Sequence, residues 1–172
     1  MTAIRPEELR KLQETVDSTT TINYDQLIDN SLKTIDEMQK LFPHWKREHL
    51  IKKLKSTKDG KDLRFVAKVD GKIVAHIKLK IGKSIHSHII QATSLIVDTK
   101  HRRKGIGIGL IQYSISKLPK TIKIITLAVD SKNKKAINLY KKLGFKKYGL
   151  LAKGSKINNT FVDNYLMKKE IN

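Results

Sequence analysis

Apolar residues in the first part of the chain recur every three or four positions, which is the spacing of one face of a helix. This pattern predicts helices over residues 6–16, 25–41 and 44–54. Pro43 follows the second of them, where a residue without a backbone N–H ends a helix. Residues 1–62 are therefore interpreted as a helical part of the fold.

From residue 63 onward, runs rich in β-branched residues replace the helical spacing, and two of them flank Asp70-Gly71, a dipeptide typical of a hairpin turn. The predicted strands cover residues 63–69, 73–81, 85–97, 122–129, 145–151 and 161–167. The predicted helices of this part cover residues 105–118 and 132–143. A polar loop is predicted over residues 153–160. These elements predict a single α/β domain over residues 1–172. Its sheet is expected to be mixed, mostly antiparallel and twisted, with about six to seven strands flanked by helices.

Cysteine is absent from the chain, which excludes disulfides, thiolate nucleophiles and cysteine-ligated zinc. A length of 172 residues is enough to bury a core without such crosslinks. No stretch of about 18 apolar residues occurs, and the first residues lack the pattern of a secretory leader. We therefore expect a cytoplasmic protein without a membrane partner.

Positive charge is concentrated in the second part of the chain. The formal net charge is +20, and residues 1–62 hold 12 Lys and Arg against 11 Asp and Glu, so residues 63–172 carry +19. Such a charge attracts polyanions, among them phosphorylated cofactors, nucleic acid and acidic protein surfaces. A bias of composition is the alternative explanation, because the basic residues are mostly lysine and planar phosphate recognition more often uses arginine.

A basic segment follows the predicted strand 85–97 and leads into a helix whose first turn is mostly glycine. The start of a helix exposes unpaired N–H groups and a positive dipole end, and glycine lets a phosphate approach that backbone closely. The segment therefore predicts a pyrophosphate site. One alternative is a glycine turn used only for packing. The other is a dinucleotide-binding fingerprint, but this chain lacks the acidic residue that such a fingerprint has about 20 positions later.

Two segments resemble the signatures of one known family. Arg102-x-x-Gly105-x-Gly107 resembles the (Q/R)-x-x-G-x-(G/A) signature of the GNAT acetyltransferases. The segment Asn133-x-x-Ala136-Ile137-x-Leu139-Tyr140-x-x-Leu143-Gly144-Phe145 resembles their pattern N-x-x-A-x-x-(L/F)-Y-x-x-x-G-F. The resemblance covers roughly residues 63–169 and implies acetyl-CoA as cosubstrate, with no metal.

The resemblance also implies which residues bind the cosubstrate. The backbone of Leu95, Ile96 and Val97 would pair with the pantetheine arm, as an added strand does, and would polarise the thioester carbonyl. The residues expected at the pyrophosphate are Arg102, Arg103, Lys104, Gly105, Ile106, Gly107 and Ile108. Asn133 would contact the pantetheine or support the next helix, although asparagine is equally a favoured helix cap.

Tyr140 is the residue that the resemblance places beside the departing sulfur. A phenol has a pKa of about 10, so it stays protonated at neutral pH and can donate a proton to a thiolate. The alternative is that Tyr140 only packs, because its spacing from Ala136 and Leu143 fits one face of a helix. Inside the matched segment, the catalytic role is favoured.

Many members of this family carry glutamates near the site that are replaced here. Their positions correspond to Ser94 and Ala128, so the usual general base is missing. We therefore expect a water relay and no single essential base, with His88, Ser94, Asp130 and Tyr165 as the candidate relay residues.

His86 and His88 lie two residues apart on the predicted strand 85–97, a spacing that can hold a metal. No third ligand is evident in the sequence, and a zinc site needs three or four protein ligands. Both are interpreted as exposed strand histidines, and no metal is expected.

The sequence thus predicts an acetyl-CoA-dependent N-acetyltransferase that acts on a primary amine. A protein N-terminus or lysine is favoured, because the positive charge of residues 63–172 should repel polyamines. The alternatives are an acetyltransferase for a small amine of polyamine or antibiotic type, and a non-catalytic module that binds acyl-CoA or RNA. Against base stacking on RNA, aromatic residues make up only 6% of the chain.

Overall fold

The computed structural model describes residues 21–29, 31–58 and 62–171. Its strands are β1 (Ile22–Gln26), β2 (Asp62–Val69), β3 (Lys72–Ile81), β4 (Ile89–Val97), β5 (Ile124–Asp130), β6 (Lys146–Ile157) and β7 (Thr160–Glu170). Its helices are α1 (Leu32–Leu41), α2 (Arg47–Lys58), α3 (Ile106–Ser116) and α4 (Lys134–Lys142). The predicted helix over residues 6–16 lies outside the described residues.

The seven strands form one sheet in the order β1-β2-β3-β4-β5-β7-β6. Neighbouring strands are antiparallel in every pair except β4 and β5, which are parallel. Parallel neighbours need a crossover connection, and α3 supplies it between them. The predicted α/β class, with a mixed and mostly antiparallel sheet of six to seven strands, is confirmed.

The sheet has a separate hydrophobic cluster on each face. Leu110 of α3 and Ile137 of α4 belong to one cluster, whereas Met38 of α1 and Leu50 of α2 belong to the other. Successive side chains of a strand point to opposite faces. Helices therefore flank the sheet on both sides, and each face of β4 and β5 lies in a different environment.

The prediction of a helix from residue 25 is wrong at its start, because residues 22–26 form β1 and pair with β2. The helical spacing of Leu27 with later apolar residues extended the predicted helix too far. The helix α1 begins after Ser31, because the Ser31 hydroxyl accepts a hydrogen bond from the N–H of Thr34 at 3.3 Å and so caps the helix. The first part of the chain is therefore not purely helical.

Two strand boundaries differ from the prediction by four residues or more. Residues 84–86 form a short 3-10 turn, so β4 begins at Ile89 and not at residue 85. Residues 153–157 continue β6, and Asn158-Asn159 make the turn with φ angles of 47° and 63°. Asparagine tolerates this left-handed region, and two such residues in sequence suit a two-residue hairpin turn. The predicted polar loop is therefore mostly strand.

Gly109 of α3 is required by the close approach of Tyr24 from β1. A Cβ at this glycine would overlap the hydroxyl oxygen of Tyr24, whose ring stacks on Tyr113 with centroids 5.9 Å apart. Overpacking of this kind costs about 1–3 kcal/mol. We expect Gly109→Ala to lower the free energy of unfolding, measured by urea denaturation, although alanine is the better helix former.

The matched control for this prediction is the double variant Tyr24→Phe/Gly109→Ala. Removal of the hydroxyl relieves only part of the overlap, because Tyr24 Cζ would still lie 2.7 Å from the added Cβ, so the double variant should recover part of the loss relative to Gly109→Ala. Equal or higher stability of the single variant Gly109→Ala would contradict the packing described.

Candidate active site

The parallel strands β4 and β5 separate partway along their length. Their pairing runs from Ile89 opposite Ile124 to Ala92 opposite Leu127, and β4 then continues to Val97 on its β3 side. A β-bulge in β4 lies where the pairing with β3 shifts at Lys78 and Leu79. Bulges bend a strand, and this one coincides with the point of separation.

The separation leaves a fork, defined here as residues 93–97 of β4 facing residues 128–130 of β5. Each of these segments pairs on its outer side, with β3 and with β7. Within the described part of the chain, no strand pairs with either segment on its inner side. An extended ligand can add to such backbone edges by hydrogen bonding.

Residues 95–97 present an unpaired backbone edge to the fork, and their side chains are half-buried. The side chains of Leu95 and Val97 pack against the cluster that contains α3 and α4, and the side chain of Ile96 packs against the other cluster. This arrangement agrees with the predicted role of these three residues.

The helix α3 begins beside the open end of the fork. Gly105 is its N-cap with a φ of 72°, a left-handed conformation that glycine adopts without strain, and no side chain caps the helix there. The first N–H groups of a helix have no partner inside the helix. The start of α3 therefore exposes N–H groups that an anion can accept hydrogen bonds from.

The loop before α3 is fixed to the end of β4 by its own side chains. The Nε of Arg102 donates a hydrogen bond to the Val97 carbonyl at 3.0 Å. His101 Nδ1 lies 2.6 Å from Asp98 Oδ2, and this hydrogen bond lowers the pKa of Asp98. Arg102 thus holds the loop against the fork, a contact that the sequence did not predict.

The other residues expected at the pyrophosphate differ in whether their side chains are exposed. Arg103, with a φ of 64°, and Lys104 have exposed side chains. Ile106 is buried, so it can contact a ligand only through its N–H group, whereas Ile108 is half-buried against the core. A Cβ at Gly107 would lie 3.5 Å from a methyl carbon of Val97, which is an ordinary contact.

Asn133 caps α4, which agrees with the capping role that the sequence left open. Its Oδ1 accepts a hydrogen bond from the N–H of Ala136 at 3.0 Å, and the side chain is exposed. This cap sets the start of the helix that carries Tyr140.

Tyr140 lies at the closed end of the fork. It shares a small cavity with Ala92 and Leu127, the last residues that pair β4 with β5. Its ring packs edge-on against Phe145 at 5.7 Å, and burial raises the pKa of its hydroxyl. That hydroxyl donates no hydrogen bond to any other described residue, so its proton is not committed to a partner within the described part of the chain.

The structure shows which of the four candidate relay residues lie near the fork. His88 precedes β4, at the opposite end of the sheet from the open fork, so it is removed as a candidate. Ser94, Asp130 and Tyr165 lie on or beside the fork, since Tyr165 of β7 pairs with Val129. The Oδ1 of Asp130 already accepts a hydrogen bond from the N–H of Lys132 at 2.8 Å.

The prediction that His86 and His88 lie on a strand is wrong, because His86 is in the 3-10 turn and His88 precedes β4. Both side chains are exposed. The described residues contain no group of three or more His, Cys, Asp or Glu side chains placed to hold a metal ion.

His76 of β3 is a titratable residue near the fork that the sequence did not single out. It pairs with Ile96, it is buried, and its Nε2 lies 3.3 Å from Arg64 Nη1. Burial, together with Arg64 and Lys78, lowers the pKa of His76 to about 3. His76 is therefore neutral at physiological pH, and its buried ring is not accessible to an acceptor amine.

Comparison with known proteins relates this site to one family. The sequence profile of the acetyltransferase (GNAT) family matches residues 31–145. An N-alpha-acetyltransferase of Sulfurisphaera tokodaii is 37% identical over 51% of this chain, and the match spans 58% of that relative's length. The L-amino acid N-acetyltransferase AaaT of Escherichia coli is 27% identical over 62% of this chain and 67% of its own length.

A solved structure supports the fold. The crystal structure of the ribosomal-protein-S18-alanine N-acetyltransferase from Escherichia coli superposes with a TM-score of 0.72, covering 88% of this chain and 94% of that one. The two sequences are 20% identical, so this likeness concerns the fold alone. No helix among the described residues is long and apolar enough to span a membrane.

Proposed function

Because the chain belongs to the GNAT acetyltransferase family, we propose that it transfers the acetyl group of acetyl-CoA to a primary amine. The observation that carries this proposal is the fork between β4 and β5, which opens beside the uncapped start of α3. An extended arm can pair with the fork, while a pyrophosphate binds the start of the helix. The two features lie next to each other, as a ligand with both groups requires.

Acetyl-CoA supplies an activated acyl group when it is bound, and the chain's own residues bind and orient it. The backbone of Leu95, Ile96 and Val97 would hold the arm, and Arg103, Lys104 and the N–H groups of residues 105–108 would hold the pyrophosphate. The amine nitrogen would bond to the acetyl carbonyl carbon, and Tyr140 would donate its hydroxyl proton to the sulfur as the carbon–sulfur bond breaks and then regain a proton from water. The proton that the amine releases would leave through water.

The proposed acceptor is a protein amine, an N-terminus or a lysine side chain. The net charge of +20 supports this choice, because it disfavours polycationic acceptors. The name of the archaeal relative, an N-alpha-acetyltransferase, agrees with an N-terminal acceptor. Since the match spans less than two thirds of that relative, acceptor identity is a proposal for this chain.

A small amine is the second candidate acceptor, and the name of the Escherichia coli relative, an L-amino acid N-acetyltransferase, favours it. An acidic groove of about 390 Å³ that includes Asp25, Asp29 and Glu37 could attract a cation. However, this groove is lined by residues 25–37 and by β2 and β3, and none of its lining residues belongs to β4 or β5. It therefore does not support a small-amine acceptor at the fork.

Acetyl transfer to a panel of peptides, free amino acids and polyamines tests the choice of acceptor. We expect kcat/KM for peptides with a free N-terminus or lysine to exceed that for free amino acids and polyamines. Peptides in which each kind of amine is blocked in turn distinguish the two sites. Preferential turnover of free amino acids would contradict the protein acceptor.

The pH profile of kcat/KM tests the absence of a dedicated base. Without a carboxylate at Ser94 or Ala128, we expect the rate to rise towards the ionisation of the amine, at a pKa near 8 for an α-amine. Ser94→Ala, Asp130→Ala and Tyr165→Phe should each retain most of the activity. His88→Ala is the matched control, since His88 lies away from the open fork.

A dedicated base would give a different profile. A plateau beginning at about pH 6 to 7, combined with about a 100-fold loss in one variant, would show that this variant lacks the base.

A further inference from the structure

The end of the sheet away from the open fork brings six strand termini together. Register pairs Asp62 of β2 with Lys80 of β3, Ile89 of β4 with Ile124 of β5, and Lys146 of β6 with Lys168 of β7. The starts of β2, β4, β5 and β6 therefore lie beside the ends of β3 and β7. Helices α3 and α4 each lead from the fork back to this end, so their last residues also lie here.

This end carries a nearly uniform positive charge. Eight lysines with exposed side chains lie on these strand termini, helix ends and their connections: Lys80, Lys83, Lys117, Lys120, Lys123, Lys141, Lys142 and Lys146. We call this set the lysine end. Among the described residues here, Glu170 is the exposed carboxylate, and its Oε1 accepts a hydrogen bond from Lys168 at 2.9 Å. Asp62 is buried and lies 3.0 Å from Lys78 Nζ.

The fork end of the sheet carries charges of both signs. Exposed basic side chains lie there, among them Lys72, Arg103, Lys104 and Lys132, together with four carboxylates on strands and turns, namely Asp70, Asp98, Asp130 and Asp163. A compositional bias towards lysine raises the positive charge everywhere, but it does not remove carboxylates from one end. The asymmetry is therefore a feature of the surface and not only of the composition.

A role in stabilising the end of a helix explains only some of the lysines of the lysine end. Lys141 and Lys142 lie in the last turn of α4, where a cation offsets the helix dipole. The nearby Lys169 donates a hydrogen bond from Nζ to the Leu143 carbonyl at 2.6 Å. Lys80, Lys123 and Lys146 lie at strand termini, where no such dipole needs a cation.

A surface that consists of lysines suits some polyanionic partners better than others. Lysine is depleted in protein–protein interfaces, whose cores are apolar and aromatic. Insertion into a membrane needs a continuous apolar face, and the exposed large apolar side chains nearest this end, Ile85 before β4 and Tyr148 of β6, are separated by β5 and β7 and form no such face. Lysine contacts phosphates as a point charge and needs no aromatic platform when bases stay paired.

We infer that the lysine end is a docking surface for the phosphate backbone of structured RNA, separate from the fork and independent of the acetyl transfer proposed for it. Such docking reads no base sequence, because it contacts phosphates alone. It places the fork, at the other end of the sheet, away from the RNA surface. An acceptor amine could therefore reach the fork while RNA is bound.

Binding of a fluorescent 20-base-pair RNA duplex, followed by anisotropy as KCl is raised, tests the inference. Wild type should bind, and log K should fall linearly with log [KCl]. The variant Lys120→Glu/Lys123→Glu/Lys146→Glu, which leaves the helix ends unchanged, should bind at least about tenfold more weakly at low salt, with a salt slope smaller in magnitude by about three. The matched control Lys33→Glu/Lys40→Glu/Lys72→Glu has the same net charge and should stay within about threefold of wild type.

Three results would overturn the inference. Wild type could fail to bind the duplex, both triple variants could weaken equally because only net charge matters, or anionic lipid vesicles could bind more tightly than the duplex. Melting temperature and acetyl transfer are measured on both variants and should match wild type. Loss of RNA binding with intact acetyl transfer thereby separates this inference from the proposed function.

Discussion

Gly107→Val is expected to weaken acetyl-CoA binding by about 10- to 100-fold while the protein stays folded. Hydrogen bonds to a charged group contribute about 1.5–3 kcal/mol, and a bulky side chain at this position would keep the pyrophosphate from the N–H groups of α3. The fold should tolerate the change, because a Cβ at Gly107 makes only ordinary contacts with Val97 and Leu139. Isothermal titration calorimetry with acetyl-CoA measures the effect.

Gly107→Ala provides the graded control for this variant. A methyl group obstructs the helix start less than valine does, and alanine is the better helix former, so stability should hold or rise. Affinity should stay close to that of wild type in Gly107→Ala, because the family signature accepts alanine at this position, and should fall in Gly107→Val. Unchanged acetyl-CoA affinity in a folded Gly107→Val protein would show that the start of α3 does not bind the pyrophosphate.

Tyr140→Phe is expected to lower kcat by about 100-fold or more, the scale of a lost general acid. The ring and its packing against Phe145 remain, and the hydroxyl makes no hydrogen bond with another described residue that would be lost. Acetyl-CoA affinity and melting temperature should therefore change little. Burial raises the pKa of Tyr140, so in wild type the hydroxyl stays protonated throughout the neutral range.

Tyr113→Phe is the matched control, because Tyr113 also packs against the cluster of α3 and α4 but stacks on Tyr24, away from the fork. Its turnover should equal that of wild type. If Tyr140→Phe retains turnover and loses only thermal stability, Tyr140 is a packing residue and the proton reaches the sulfur by another route.

The sequence was sufficient for the elements whose patterns are strong and local. The hairpin at Asp70-Gly71 and the helices α3 and α4 are where periodicity and glycine positions predict them. It failed at β1, because a five-residue strand pairs with a distant partner, β2, and leaves no long-range signal in its own segment. The β6–β7 turn was missed because Asn158-Asn159 suits either a loop or a tight hairpin.

The features of the candidate site divide in the same way. Some depend on adjacent residues, and others depend on contacts between distant segments. The glycines before and within α3 predict the anion-binding helix start from adjacent residues alone. The fork depends on where the pairing of β4 and β5 stops, which only the three-dimensional register reveals. The bond from Arg102 to the Val97 carbonyl and the burial of His76 likewise arise from tertiary contacts.

Mass spectrometry of peptides incubated with the protein and isotopically labelled acetyl-CoA shows whether the protein transfers acetyl to an amine. Labelled acetyl should appear on a peptide amine in equal amount with released CoA, and Gly107→Val and Tyr140→Phe should reduce both products together. A folded wild-type protein that binds acetyl-CoA but labels no amine in peptides, free amino acids or polyamines would rule out the proposed acetyl transfer.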